Sequence, residues 1–359
     1  KKRELPIIVL FFLFYLYFFI YLQKKYLMRI YDLKNVSKCY TFGKITSSLS
    51  NVLNRMSKSL DCDKKPLIRR RSNRSLMVNV TPNCEFKDSI VFIHCNCGFN
   101  SNTLENVHTL LAKFNEIFSK TNTYVFFIRG GYENPKWFDG KTINFSNIKA
   151  IEDYSFVKTQ KMNILCIGGD IAFDKNWVDK NNKRNGNELF DEDTKPYFNE
   201  YLLKQLFSEN TIHAIITSSS PSFLNPSLNT LSKKPWLCDS NKELESLWEC
   251  RVIMDKIYSV ISSNLYNKPY VWVYNNFTNK GYNMDTYNDI LFYLPNDSDF
   301  YLLGKLINDY CQYNTDDDGV FLPNGIGLRN KIDKSNEDDE ILYDRLDLDR
   351  DYEDIARMV

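Results

Sequence analysis

The sequence lacks most features that would name a chemistry outright. Lys and Arg total 46 against 45 Asp and Glu, so the 359 residues carry a net charge of +1. No global field therefore steers the chain toward nucleic acid. There is no pair of Cys-x-x-Cys knuckles. The nine cysteines, at 39, 62, 84, 95, 97, 166, 238, 250 and 311, are odd in number and several lie in apolar runs. That usage points to reduced, buried thiols rather than a disulfide framework. Cys95 and Cys97, with His94 and Cys84 nearby, form a lone Cys-x-Cys without the second knuckle of a zinc site. No Gly-x-Ser-x-Gly elbow surrounds Ser218, Ser219 or Ser220, and no base is near them in sequence. Gly168-Gly169 is too short to cradle a phosphate, and Asp316-Asp317-Asp318-Gly319 lacks the alternating ligands and distal Glu of a calcium loop. No internal repeat is visible.

What is present begins with an uninterrupted apolar run from Leu5 to Leu22, flanked by Lys1, Lys2 and Arg3 and by Lys24 and Lys25. It approaches the roughly 20 residues that span a bilayer, has no small-residue cleavage site, and carries basic residues on both sides. Two readings stand: a membrane anchor over residues 5–22, or a non-native extension of residues 1–27 ahead of Met28. Without the anchor the expected location is the cytoplasm. Residues 45–80 read as a helix followed by an exposed insertion rich in Ser, Asn and Arg, including Arg69-Arg70-Arg71 and Arg74. Residues 331–359 form an acidic tail with Glu337-Asp338-Asp339-Glu340, expected to be a solvated segment or a docking segment.

Between these lie short apolar runs alternating with amphipathic stretches. Strands are expected at Arg29–Leu33, Ile90–Ile93, Tyr124–Ile128, Ile164–Ile167, Ala214–Ile216, Tyr270–Tyr274 and Ile290–Leu294, and helices at Leu104–Phe118, Tyr197–Leu206 and Glu243–Ser263. Buried strands alternating with helices predict an α/β layered domain over residues 28–330.

The loops that follow these strands resemble those of the calcineurin-like metallophosphoesterases. Tyr124-Val125-Phe126-Phe127-Ile128-Arg129-Gly130-Gly131-Tyr132-Glu133 resembles the strand and Gly-Asn-His-Asp loop of that family, with Gly131 and Tyr132 in place of Asn and His. Asn134-Pro135-Lys136-Trp137-Phe138-Asp139-Gly140 and Asn163–Asp170 are similar to the family's flanking text. The opening Asp-x-His matches Asp32-Leu33-Lys34, Gly-Asp matches Cys95-Asn96, and Thr-His matches Thr217-Ser218. The closing Gly-His-x-His aligns with Tyr274-Asn275-Asn276-Phe277.

The resemblance implies a four-layer sandwich of two mixed β-sheets flanked by helices. It also implies a two-metal phosphoesterase site in which Asp32 alone keeps its ligand, while Lys34, Asn96, Gly131, Tyr132, Ser218, Asn275 and Phe277 replace ligands and Glu133 completes the third loop. The expected consequence is a pseudoenzyme without a cofactor, acting as a protein-binding or structural module. Its partner would be contacted through the filled cleft, the Arg69–Arg74 segment or the acidic tail. The alternative is an active phosphoesterase using manganese or another divalent metal on Asp32, Asn96, Glu133, Asp170 and His94. His213 and His108 read as structural.

Overall fold

A computed structural model describes residues 28–45, 48–60, 86–99, 102–171, 194–224, 241–264, 267–275, 283–295 and 300–313. In chain order the elements are β1 (Ile30–Leu33), β2 (Lys38–Phe42), α1 (Leu49–Ser59), β3 (Ser89–His94), α2 (Leu104–Ser119), β4 (Thr123–Ile128), β5 (Ile148–Ile151), β6 (Ser155–Thr159) and β7 (Asn163–Ile167). They continue with α3 (Glu200–Glu209), β8 (Ala214–Thr217), α4 (Asn241–Ser262), β9 (Val271–Val273), β10 (Asn283–Tyr287), β11 (Ile290–Leu294), β12 (Phe300–Leu302) and α5 (Leu303–Tyr313). One compact unit covers Lys1–Asn308; a second, Asp309–Val359, is described only over residues 309–313.

The strands form two mixed sheets, ordered β1-β6-β7-β8-β9-β11-β10 and β12-β2-β3-β4-β5. In the smaller sheet β2, β3, β4 and β5 are parallel, and β12 closes the β2 edge antiparallel. In the larger, β7, β8, β9 and β11 are parallel, whereas β6 runs antiparallel to β7 and carries β1 parallel to itself. β1 therefore points the opposite way to the strands at the centre of its sheet.

Strands such as Ser89–His94 are buried at every position, as expected where both faces are covered. Leu49, Val52, Leu53 and Met56 of α1 and Val107, Leu111, Phe114 and Phe118 of α2 pack with Val91, Ile93, Val125 and Phe127 on one outer face. Leu203 and Phe207 of α3 and Met254 and Ile257 of α4 pack with Phe156, Leu165, Ile215 and Trp272 on the other. The inner faces meet directly: the Tyr31 and Phe126 rings lie 5.0 Å apart, Tyr293 and Tyr301 4.7 Å apart, and the Cys39 thiol donates to Thr159 Oγ1 at 3.7 Å. The layers run helix, sheet, sheet, helix.

All seven expected strands are found within a residue or two, while β2, β5, β6, β10 and β12 are additional. The helix expected from Tyr197 starts at Glu200, because Asn199 takes the cap and its side chain accepts from the Leu202 N–H. The helix expected at the start of residues 45–80 is α1: Ser48 caps it, and its apolar side is buried in the core. Residues 61–85, including Arg69–Arg74, lie outside the described residues, as do residues 1–27 and 331–359. Among the described residues no helix is long and apolar enough to cross a membrane.

Candidate functional site

The carboxyl ends of β2, β3 and β4 meet those of β7, β8 and β9, and here the loops of the two sheets are tied to one another. The Ser218 hydroxyl, after β8, accepts from the Cys95 N–H at 3.0 Å and donates to the Arg129 carbonyl at 2.7 Å. The same carbonyl accepts from Gly169 N–H at 2.8 Å. The Arg129 guanidinium is almost fully buried and donates to Asp153 Oδ2 at 2.6 Å and to the Thr194 carbonyl at 2.6 Å. Gly130 is required by proximity: a Cβ there would lie 1.5 Å from the Cys95 carbonyl oxygen.

Glu133 occupies the centre of this arrangement and is fully buried. Its Oε1 accepts from Cys97 N–H at 2.5 Å and its Oε2 from Gly130 N–H at 3.1 Å, so one carboxyl clasps the loops after β3 and β4. Burial pushes its pKa up to about 8, against the opposing pull of those N–H donors and of Arg129. Cys97 points its thiol back to the Ile128 carbonyl at 3.2 Å, and burial holds it well above the ordinary thiol range.

His94 ends β3 at full burial, with Nδ1 3.0 Å from the Thr217 carbonyl and Nε2 3.1 Å from Thr41 Oγ1. A carbonyl can only accept, so Nδ1 carries the proton and the Thr41 hydroxyl donates to Nε2. Burial lowers its pKa to about 4. The neutral ring is thus a fully used bridge between sheets. The Trp272 indole N–H donates to Thr217 Oγ1 at 2.9 Å, and that hydroxyl donates to the Ser219 carbonyl. Ser220 Oγ is buried with no hydrogen-bond partner among the described residues.

The charged lining comes from two loops and a helix. Asp170, after β7, is buried; its Oδ1 accepts from Ile171 N–H at 2.9 Å. Burial raises its pKa to about 7, opposed by that N–H, by the cations Arg251 and Lys44 and by the Ser219 hydroxyl. Arg251, on α4, is buried and donates to the Pro221 carbonyl at 2.7 Å. Lys44, after β2, is half-buried and places its ammonium 5.5 Å above the Tyr132 ring centre. Its loop is joined to the next by Ile45 N–H donating to the Asn96 carbonyl at 2.9 Å.

The structure gathers Asn96, Gly131, Tyr132, Glu133, Ser218 and Asn275 at this end of the sandwich. Asn96 turns its Oδ1 onto Gly98 N–H at 3.0 Å, while Tyr132 and Asn275 are buried. It does not gather Asp32 or Lys34. Because β1 is reversed, they lie at the far end of the larger sheet, exposed and 3.5 Å from each other. The five-residue set Asp32, Asn96, Glu133, Asp170 and His94 is corrected on this ground, and His94 has both nitrogens engaged within the protein. Phe277 and Cys84 lie outside the described residues.

The first strand entering the site is β2, so Lys44 is the residue that sequence reasoning missed. The sequence carries little signal for it, because Thr41 breaks the apolar run Cys39-Tyr40-Thr41-Phe42 ahead of Gly43. His213 is a satisfied strand-edge residue, its Nδ1 accepting from Asn163 N–H at 2.9 Å, and the His108 ring packs 5.5 Å from that of Phe145. Among the described residues Cys39, Cys97, Cys166 and Cys250 are free, buried thiols, and Cys95 is buried as well. No group of three or more His, Cys, Asp or Glu side chains there is placed to hold a metal ion. No protein-family model matches the sequence, and no match is found among curated proteins.

Proposed function

We propose that this chain is a calcineurin-like metallophosphoesterase scaffold that has given up catalysis and serves as a protein-binding or structural module. The observation that carries the reading is that the loops at the carboxyl ends of the strands satisfy each other. Glu133 spends both oxygens on backbone N–H groups, Ser218 bridges Cys95 to Arg129, and His94 spends both nitrogens on Thr41 and Thr217. A hydrolytic two-metal site needs such groups free to hold cations and aim a water. The four-layer order and the motif series Cys95-Asn96, Gly130–Glu133 and Thr217-Ser218 support the family reading. The partner is protein, and the location is the cytoplasm unless residues 5–22 anchor the chain.

The test is elemental mass spectrometry of the purified protein, paired with hydrolysis of a generic phosphodiester in manganese. Less than one metal per chain and no manganese-stimulated turnover are expected; two stoichiometric metals would sink the reading. A second reading, an active phosphoesterase with a divergent site, is favoured by one observation: Asp170 and Glu133 are two buried carboxyls at the same end of the sandwich. Turnover abolished by Asp170→Asn would establish it. For location, a variant lacking residues 1–27 should remain in the same fraction as the full chain. Its release from membranes would establish the anchor.

A further inference from the structure

The end of the sandwich opposite the cleft carries a different surface. There the amino ends of β2, β3, β4 and β7 meet the carboxyl ends of β1 and β6, because those two strands are reversed. Backbone bonds join the connecting loops: Gln160 N–H donates to the Val36 carbonyl at 3.1 Å, Ser37 N–H to the Asp88 carbonyl at 3.0 Å, and Asp88 N–H to the Thr121 carbonyl at 3.1 Å. The start of α5 adjoins them, since a Cβ on Gly304 would lie 3.9 Å from Met162 Cε. These loops and the α5 start carry Lys34, Lys87, Lys120, Lys158, Lys161 and Lys305, all exposed except the half-buried Lys158. Three acids stand among them. Asp32 lies 3.5 Å from Lys34 and Glu116 3.4 Å from Lys120, while Asp88 Oδ1 accepts from the Asn122 amide at 3.1 Å. Lys87, Lys158, Lys161 and Lys305 have no ion-pair partner among the described residues. Farther along the larger sheet the charges match again, Lys268 with Asp289 at 3.4 Å. With a net charge of only +1 on the whole chain, the lysine end is a local surplus.

We infer that this lysine-rich end is a docking surface, and that its partner is an acidic protein segment held through its carboxylates. The inference deepens the binding-module reading and rests on it, but not on the loss of catalysis, because the surface lies away from the cleft. Ammonium groups without an internal acid create a field that a run of Asp or Glu complements. The same end offers nothing apolar. Among the described residues the exposed large apolar side chains are Ile30, Tyr197, Tyr201 and Tyr287. Ile30 opens β1, and Tyr197 and Tyr201 lie at the start of α3, all toward the cleft end; Tyr287 is on β10, at the opposite edge of the larger sheet. The lysine end therefore presents no ring to stack on a nucleic-acid base and no apolar group to enter a bilayer.

The test is binding of a fluorescently labelled poly-glutamate peptide to the full chain, followed by anisotropy at low ionic strength. The peptide should bind, and binding should weaken as salt is raised. Lys87→Glu combined with Lys161→Glu should weaken it about tenfold. The equal charge change Lys136→Glu with Lys141→Glu, at exposed positions on the loop after β4, should leave it unchanged. A natural chain that binds no poly-glutamate overturns the inference, as does an equal loss in both pairs of substitutions. Tighter binding of poly-uridylate RNA or of phosphatidylserine vesicles, lost with Lys87→Glu and Lys161→Glu, also overturns it, by assigning the surface to a nucleic acid or a membrane. Two stoichiometric metals in the natural chain would instead overturn the loss of catalysis and leave the docking surface standing, so the two failures are distinguishable.

Discussion

At the scale of single residues, the cleft is held by Glu133, His94 and Ser218, whose side chains each bridge two loops, and conservative changes there should be unusually costly. Glu133→Gln keeps size and shape but turns one acceptor into a donor facing the N–H of Cys97 or Gly130. The loss should be about 1–3 kcal/mol, the penalty for an unsatisfied buried donor, measured by denaturant unfolding at pH 9, where the natural carboxyl is ionised and both of its oxygens accept. His94 gives a pH signature. Folding keeps its ring neutral, so below pH 6.5 the unfolded chain takes up more protons than the folded one, and stability falls until about pH 4. Compared with a His94→Gln variant, the natural protein should lose up to about 3 kcal/mol across that window. Glu133 acts with the opposite sign. Its folded pKa is raised from 4.5 to about 8, so its contribution is complete below pH 4.5 and declines as pH rises to 8. A natural protein whose stability relative to His94→Gln stays flat between pH 6.5 and 4 would contradict the buried bridge.

At the scale of elements, the loops and helices make sharper claims. Gly130→Ala should prevent the β3 and β4 loops from closing, because the added carbon would sit inside the Cys95 carbonyl; a large drop in melting temperature or an insoluble product is expected. Gly304→Ala, near the start of α5, meets nothing closer than Met162 at 3.9 Å. It should be neutral or stabilising by roughly 0.5–1 kcal/mol, as alanine is the better helix former. Leu53→Ala in α1 should cost about 2–5 kcal/mol, since Leu53 is fully buried; a cost near zero would contradict the packing of α1 into the core. β3, β4, β7 and β8 were legible because three or more adjacent apolar residues bounded by turns have few alternatives to a doubly buried strand. β2 was not, because Lys38 and Thr41 interrupt its apolar run. Glu133 was legible as a member of the third loop but not as the buried clasp it is: a carboxylate in a loop is ordinarily solvated, and only the convergence of two backbone N–H groups turns it inward. The misplacement of Asp32 has a topological cause. A strand's direction within a sheet is set by its partner, and nothing in Ile30–Leu33 states that β6 will be that partner.

At the scale of the whole molecule, the two sheets are joined by His94, Ser218, the Tyr31–Phe126 contact and the Tyr293–Tyr301 contact, and they should unfold together. Trp137 reports on the smaller sheet and Trp272 on the larger. Variants keeping only one of these indoles should show coincident denaturation midpoints by fluorescence; separated midpoints would mean that the sheets are independent. The β12 edge has a further implication, for synthesis rather than stability. Phe300–Leu302 pairs with Tyr40–Phe42, so one flank of the smaller sheet waits for the last described strand to leave the ribosome. Until then β2 presents bare N–H and carbonyl groups, the kind of edge that recruits foreign strands. A nascent chain is therefore exposed to aggregation until Phe300–Leu302 has left the ribosome, and stalling or truncation just before Phe300 would prolong that exposure.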